Sequence, residues 1–102
     1  MSIQEYVIVK LSTDTKSVEH LEQYLQIVNE ALLAKRRRHR KDDSRYVYYE
    51  QHHILPKSLY PDYAKDKANL VLLTAEEHFE CHKLLVEIFP GQAMAHAFWR
   101  MC

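Results

Sequence analysis

The sequence contains little glycine, proline or cysteine, and each shortage excludes a class of protein. One glycine and three prolines among 102 residues exclude long low-complexity or disordered segments. The two cysteines, Cys81 and Cys102, form no C-x-x-C pair, so neither a disulfide scaffold nor a zinc ribbon is supported. No apolar run approaches the roughly 18 residues that span a bilayer, and no basic segment precedes the short apolar run near the N-terminus. We therefore expect one cytoplasmic domain with no membrane segment.

The chain also lacks net charge, because 14 basic residues balance 14 acidic ones. The charge is nevertheless concentrated, since the stretch "KRRRHRKDDSR" at residues 35–45 holds seven Lys or Arg and two Asp. A basic segment in a neutral protein can bind a polyanion locally, although a solvated helix end has the same composition. The pattern indicates phosphate contacts by the basic side chains of this run, which are Lys35, Arg36, Arg37, Arg38, Arg40 and Lys41.

The first half of the chain predicts a strand, a helix and a second strand. The β-branched stretch "YVIVKL" at residues 6–11 predicts a short strand. Apolar residues three and four positions apart from Val18 onward predict a helix over about 17–37, whose basic last turn suits the negative end of the helix dipole. The β-prone stretch "RYVYYEQHHIL" at residues 45–55 follows. This second predicted strand ends close to a pair of adjacent histidines.

The second half predicts a loop, a strand and two helices. The polar stretch "PKSLYPDYAKDKA" is typical of a loop, and residues 69–73 predict a short apolar strand. Thr74 is an N-cap candidate, and Glu77 completes a capping box, so a helix is predicted over about 75–88. After "FPGQ", a last helix is predicted over about 92–101, with an apolar face formed by Met94, Ala97, Phe98 and Met101.

Two histidines in the helix after Thr74 are spaced for metal binding. His78 and His82 lie about 40° apart around the helix axis, and helices commonly offer two imidazoles to one metal ion in this way. Two solvent-facing histidines would have the same spacing. The zinc-peptidase pattern H-E-x-x-H does not apply, because Phe79 follows the first histidine. Cys81 is either a rival ligand or a small apolar group that faces the core.

The adjacent residues His52 and His53 can divide two tasks between them. Successive strand residues point to opposite sides, so one imidazole can bind a metal while its neighbour stays free to accept a proton. Asn69 is either an ordinary turn residue or an amide that holds the preceding loop against the histidine strand and orients the base. Together these side chains predict a site that combines one metal ion with one general base.

The run from "EQHHILPKSL" to "NLVLLTAEEHFECHKLL" resembles the HNH endonucleases of the ββα-metal fold, most of all their phage-encoded homing-type branch. An Asn about sixteen residues after the His pair, and histidines nine and thirteen residues after that Asn, also suit the colicin-type HNH nucleases. The resemblance implies an α+β fold with a ββα-metal core over about 46–88 and flanking helices. The loop "LYPDYAKDK" departs from the family pattern, because it lacks the Gly-Gly pair that relatives often have.

The resemblance also implies a role for each site residue. His52, His78 and His82 would bind the metal ion. His53 would be the general base that activates water, and Asn69 would hold the loop and orient that base.

Two further charged residues fall beside this set. Glu50 matches an acidic family position that would hold another side chain by charge-assisted hydrogen bonds, although an exposed strand carboxylate is an equally ordinary interpretation. Lys57, directly after Pro56, would touch phosphate near the site.

The implied activity is metal-dependent hydrolysis of DNA phosphodiester bonds that leaves 5′-phosphate and 3′-hydroxyl ends. Zinc is the ion expected to bind to three imidazoles, and magnesium, manganese, nickel or cobalt are candidates to support activity. One catalytic set and no linked recognition module predict a monomer that nicks with weak sequence preference. A homodimer through the C-terminal helix is the alternative. A phage-encoded protein in the host cytoplasm is implied.

A competing function is a degenerate HNH domain that has become a metal-stabilised DNA-binding or protein-interaction module. A purely structural metal site has no use for His53, which argues against that interpretation. The short chain argues for it, because sequence-specific cleavage normally needs more surface.

Overall fold

A computed structural model of the chain describes residues 3–101, without the side chains at positions 3, 4 and 6, so Cys102 lies outside the described residues. Within this range the protein has an α+β fold of four α-helices and one two-stranded antiparallel sheet. The elements in chain order are α1 (Ile3–Asp14), α2 (Val18–Leu33), β1 (Glu50–His53), β2 (Leu70–Leu73), α3 (Ala75–Ile88) and α4 (Gln92–Met101).

The strand predicted over residues 6–11 is wrong, because this segment belongs to helix α1. Val7 and Leu11 are four positions apart and fully buried, whereas Ile8 and Val9 are exposed. The buried residues therefore form one narrow apolar stripe with the four-residue spacing of a helix. The β-branched side chains favour a strand only weakly, and packing of this stripe against the core overrides that preference.

Helix α2 begins as predicted but ends before the basic run. Ser17 is its N-cap, and the face that packs on the core holds Leu21, Tyr24, Val28 and Ala31. The helix ends at Leu33 rather than near residue 37, and Lys35 has a φ of +50°, which is incompatible with a continuing right-handed helix. The predicted basic last turn is therefore wrong, and the basic run lies in the loop before β1.

The sheet is shorter than the β-prone stretches that predicted it. Strand β1 pairs with β2 in an antiparallel register that sets Glu50 opposite Leu73, and His53 opposite Leu70. Asn69 lies in a short 3-10 turn directly before β2 instead of in the strand. The intervening residues 54–69 form the predicted loop, with a second 3-10 turn at Pro61–Tyr63.

Helix α3 matches its predicted bounds, and its capping box is confirmed. The Glu77 carboxylate accepts from the Thr74 backbone N–H at 2.8 Å, and the Thr74 hydroxyl accepts from the Glu77 N–H at 3.2 Å. The cap sets the first turn of the helix directly after β2. It thereby fixes how the helix faces the sheet.

The last helix also has the predicted bounds, and most of its apolar face packs on the chain itself. Met94 is buried, and the ring of Phe98 lies 5.1 Å from that of Phe79 on α3, measured between centroids. Trp99 stays 76% exposed.

Candidate metal centre and its cavity

Three imidazoles from two elements meet at the face between the sheet and α3. His52 comes from β1, and His78 and His82 come from α3; one ligand atom of each lies within 4.8 Å of the others. The ring centroids form a nearly equilateral triangle with sides of 4.8–5.2 Å. The antiparallel pairing of β1 with β2, followed at once by the capped start of α3, brings the three side chains together.

Two of the donor atoms have the spacing of neighbouring ligands on a divalent metal ion, and all three lie within 4.8 Å of one another. The Nε2 atoms of His78 and His82 are 3.2 Å apart. In a tetrahedral site with zinc–nitrogen bonds of about 2.0–2.1 Å, neighbouring nitrogens are separated by about 3.3–3.4 Å. The Nδ1 atom of His82 is buried and is the one side-chain nitrogen or oxygen of this kind without a hydrogen-bond partner among the described residues. The described hydrogen-bond contact of this ring is the one between its Nε2 atom and Nε2 of His78.

Two of the three imidazoles are held in the neutral form that binds metals. Burial lowers the pKa of His82 to about 4, with smaller contributions from His78 and Arg100. Burial also lowers the pKa of His52 well below its usual 6.5, and the neighbouring imidazoles add to this effect. Since a metal must displace any proton on its ligand, these rings are ready to bind without that cost.

Glu50 holds the third imidazole. Its Oε1 atom accepts from Nδ1 of His78 at 2.9 Å, so Nε2 is the ring nitrogen that faces His82. Its Oε2 atom accepts from the Tyr48 hydroxyl at 2.7 Å. The hydrogen bond from Tyr48, and then that from His78, lower the pKa of Glu50, so the carboxylate stays charged.

His53 lies beside the three imidazoles and is half-buried. Its Nε2 atom is 3.0 Å from the carbonyl oxygen of Ala64. Because a carbonyl oxygen only accepts, Nε2 carries the hydrogen and Nδ1 of the neutral ring keeps a free lone pair. The ring therefore has one nitrogen that can accept a proton, and the loop sets its orientation.

Asn69 is fully buried and ties that loop to the end of β1. Its Oδ1 atom accepts from the Leu55 backbone N–H at 2.7 Å. Its Nδ2 atom donates to the carbonyl oxygens of Leu55 and Tyr63 at 3.1 and 3.2 Å. None of these hydrogen bonds goes to His53. The amide spans the segment that follows His53 and the turn that supplies the Ala64 carbonyl.

The imidazoles open into a cavity of about 600 Å³. His53, Lys57 on the loop and Arg100 on α4 all line it, and no described carboxylate does. A cavity with two cations and no lining anion favours a negatively charged ligand. Arg100 was not predicted from the sequence; it lies three positions after Ala97 and six after Met94, both of which line the same cavity, and this spacing was the available signal.

The basic run divides into one anchored residue and several exposed ones. The Arg36 guanidinium donates to both carboxylate oxygens of Glu77, at 2.6 and 3.0 Å, and to the Leu72 carbonyl at 3.1 Å. It also lies 5.1 Å from the centre of the Tyr49 ring. Arg36 thus holds the loop to the start of α3. This observed contact differs from the predicted one, in which Arg36 binds phosphate. The other predicted contacts in the run are exposed: Lys35, Arg37, Arg38, Arg40 and Lys41.

Cys81, the predicted rival ligand, is not among the clustered ligand atoms. Its side chain is fully buried in the core, and burial raises the pKa of its thiol to about 12. The cluster of close ligand atoms contains histidines alone among the described residues. The interpretation of Cys81 as a small apolar core residue is therefore the one that the structure favours.

The α+β fold thus brings together three imidazoles that could hold a metal ion and a fourth imidazole that lines the same cavity. The chain is 44% identical over 80 residues to a protein named probable mobile endonuclease B of Enterobacteria phage T4, across 78% of this chain and 29% of that protein. It is 37% identical over 78 residues to probable mobile endonuclease D of the same phage, across 74% of this chain and 29% of the relative. It is 46% identical over 55 residues to probable mobile endonuclease E, across 54% of this chain and 38% of the relative.

The chain thus spans less than two-fifths of the length of the curated relatives that it matches. No family model matches it, and no solved structure matches it. None of the described helices is long and apolar enough to cross a membrane.

Proposed function

We propose that this chain is the nuclease domain of a phage homing-type HNH endonuclease, which hydrolyses DNA phosphodiester bonds with the help of one divalent metal ion. The observation that carries the proposal is the meeting of three metal-competent imidazoles and a fourth, unbound imidazole in one cavity without a lining carboxylate. The phage relatives are named probable mobile endonucleases, and these names support a nuclease.

Each side chain has a defined task in this reaction. His52, His78 and His82 hold the metal ion, which when bound supplies charge stabilisation for the phosphoryl and leaving oxygens. His53 accepts the proton of the attacking water at Nδ1, because its Nε2 is committed to Ala64. Asn69 keeps the loop in the position that orients His53.

The substrate is held by charge on two sides of the reaction. Lys57 and Arg100 line the cavity from different elements and contact the phosphates next to the scissile one. The exposed cations of the 35–41 loop contact the backbone of the duplex beyond the cavity and add affinity that is independent of sequence.

The donor set also orders the candidate metals. Three imidazoles favour zinc, nickel and cobalt in affinity, whereas magnesium prefers oxygen ligands. We propose that zinc binds tightest, and that magnesium, manganese, nickel and cobalt are the further ions to test for turnover.

The test incubates the protein with supercoiled plasmid and each of these metals, and measures bound metal by mass spectrometry. Wild type should cleave, His53→Ala should keep its metal and lose cleavage, and His78→Ala should lose both. His96→Ala, an exposed histidine on α4 that does not line the cavity, is the matched control and should behave as wild type.

The same experiment separates the nuclease from the competing function. A metal-stabilised binding module would hold zinc and bind DNA, but the wild-type protein would cleave plasmid with none of the metals. His53→Ala would then change neither zinc binding nor DNA binding. Undiminished cleavage by His53→Ala would remove the general base from the proposal.

A further inference from the structure

A buried tyrosine outside the ββα core reaches the metal centre. Tyr24 lies on α2 and is fully buried. Its hydroxyl oxygen is 2.7 Å from the carbonyl oxygen of Ile54 and 2.8 Å from Nε2 of His52. Ile54 in turn donates its backbone N–H to the carbonyl of Asn69 at 2.8 Å. The hydroxyl therefore connects His52 to the backbone that follows the histidine pair.

The single hydroxyl hydrogen determines the direction of both contacts. A carbonyl oxygen only accepts, so the Tyr24 hydroxyl donates to Ile54 and presents a lone pair to His52. Nε2 of His52 must then carry a hydrogen and donate it. In the reverse arrangement two oxygens would face each other at 2.7 Å without a hydrogen between them, and a buried carbonyl would lose its partner.

The consequence concerns the other ring nitrogen of His52. Its Nδ1 atom makes no hydrogen bond to the described residues. It is also not one of their buried side-chain atoms that lack a partner, so Nδ1 is not fully enclosed. His52 lines the cavity, so Nδ1 is the ring nitrogen with access to it. His78 has the opposite arrangement, since Glu50 holds its Nδ1 and leaves Nε2 free.

We propose that Tyr24 is a positioning residue that locks His52 as its Nε2–H tautomer and so makes Nδ1 the atom that binds the metal. The inference rests on the metal site in the proposed function. It adds that α2, outside the ββα core, contributes to the affinity of that site. Two rings of the cluster are thus fixed by two different partners, a tyrosine hydroxyl and a carboxylate.

The first test reads the tautomer directly in the metal-free protein. Long-range nitrogen–proton NMR correlation distinguishes a protonated from an unprotonated ring nitrogen. Wild-type His52 should show a protonated Nε2 and an unprotonated Nδ1, and Tyr24→Phe should show exchange between tautomers. A wild-type ring protonated at Nδ1 would overturn the proposal, and this measurement does not depend on whether the variant folds.

The second test measures zinc affinity by competition with a chromophoric chelator. Tyr24→Phe should bind zinc about 10–100-fold more weakly, the usual effect of removing a group that orients a metal ligand. Tyr60→Phe is the matched control, because its hydroxyl bonds to Asp14 away from the cavity, and it should bind zinc as wild type does. Equal losses in the two variants, or no loss in a folded Tyr24→Phe, would contradict the positioning role.

Neither readout requires DNA. If zinc binds with the expected tautomer but no plasmid is cut, the nuclease proposal fails and the role of Tyr24 stands. If plasmid is cut but His52 is protonated at Nδ1, the proposed role of Tyr24 fails and the nuclease proposal stands.

Discussion

At the scale of single residues, the adjacent histidines show how environment separates two identical side chains. His52 is buried and donates to a tyrosine hydroxyl, whereas His53 is half-buried and donates to a loop carbonyl. Both therefore carry their hydrogen on Nε2, and in the proposed roles His52 offers Nδ1 to the metal ion whereas His53 uses Nδ1 to accept a proton. The chemistry of each ring is decided by its partner, not by its position in the sequence.

Asn69 offers a prediction at this scale. Asn69→Ala would leave the Leu55 N–H, the Leu55 carbonyl and the Tyr63 carbonyl without their present partner. We expect a loss of about 1–3 kcal/mol in the free energy of unfolding, which is the usual cost of unpaired buried groups, measured by urea unfolding. The cleavage rate of the folded variant should also fall, because the loop that orients His53 is released.

The contrasting measurement for Asn69→Ala is zinc affinity. The amide contacts none of the three metal ligands, so the zinc dissociation constant of the folded variant should stay close to that of wild type. A variant that loses zinc and cleavage together would place Asn69 in the metal site instead of the loop.

At the scale of elements, local signals predicted the second half of the fold, and packing decided the first half. The capping box at Thr74 fixed the start of α3, because both of its hydrogen bonds are local. The segment 6–11 had the composition of a strand, and only its burial against other elements made it helical. The histidine spacing likewise predicted the cluster of three histidines. Tyr24 comes from an element outside the motif, and Arg100 was marked only by its spacing from Met94 and Ala97 on α4.

The anchored arginine gives a prediction about the start of α3. Hydrogen bonds from Arg36 are the largest cause of the lowered pKa of Glu77, whose ordinary value is 4.5. A carboxyl with a lowered folded-state pKa contributes stability above its ordinary pKa and loses it as the pH falls through the folded value. Arg36→Gln should therefore cost about 1–2 kcal/mol at neutral pH, and the difference from wild type should shrink below pH 4.5.

Urea unfolding of both proteins across this pH range measures the effect. Arg37→Gln is the control, because its side chain is exposed, and it should match wild type throughout. A difference between Arg36→Gln and wild type that persists unchanged in acid would show that the stabilisation does not come from the charged Glu77.

The cavity cations give the second prediction at this scale. Lys57→Gln with Arg100→Gln should weaken DNA binding and reduce its dependence on salt by about 0.9 log units for each lost phosphate contact. Cleavage should fall more than binding, since these side chains line the cavity of the histidines.

Arg37→Gln with Arg38→Gln should weaken binding to unrelated duplexes alike and spare the cleavage rate of bound DNA. An unchanged salt dependence in either pair would place the DNA surface elsewhere.

At the scale of the whole molecule, the proposed metal site would link metal binding to folding. The three histidines join β1 to α3, so an ion that binds them stabilises the folded chain over the unfolded one. Zinc at about 1,000 times its dissociation constant should add about 4 kcal/mol to the free energy of unfolding. Thermal melting with zinc and with a chelator measures this, and His82→Ala should remove most of the difference. A melting temperature indifferent to zinc would contradict the metal site itself.

The mode of cleavage depends on how many sites engage one duplex. The described residues contain one cluster of three histidines, so under the proposed function we expect one molecule to cleave one strand per engagement. The apolar face of α4, which would join two copies in a dimer, is largely used within the chain, where Met94 is buried and Phe98 packs on Phe79. We therefore expect a monomer, and we expect open-circle plasmid to accumulate before linear plasmid appears.

Sedimentation at micromolar protein and a time course of supercoiled, open-circle and linear DNA measure the two properties together. A stable dimer that yields linear DNA without an open-circle phase would show that two sites act at once, and Trp99, exposed on α4, would then be the first residue to replace at the contact.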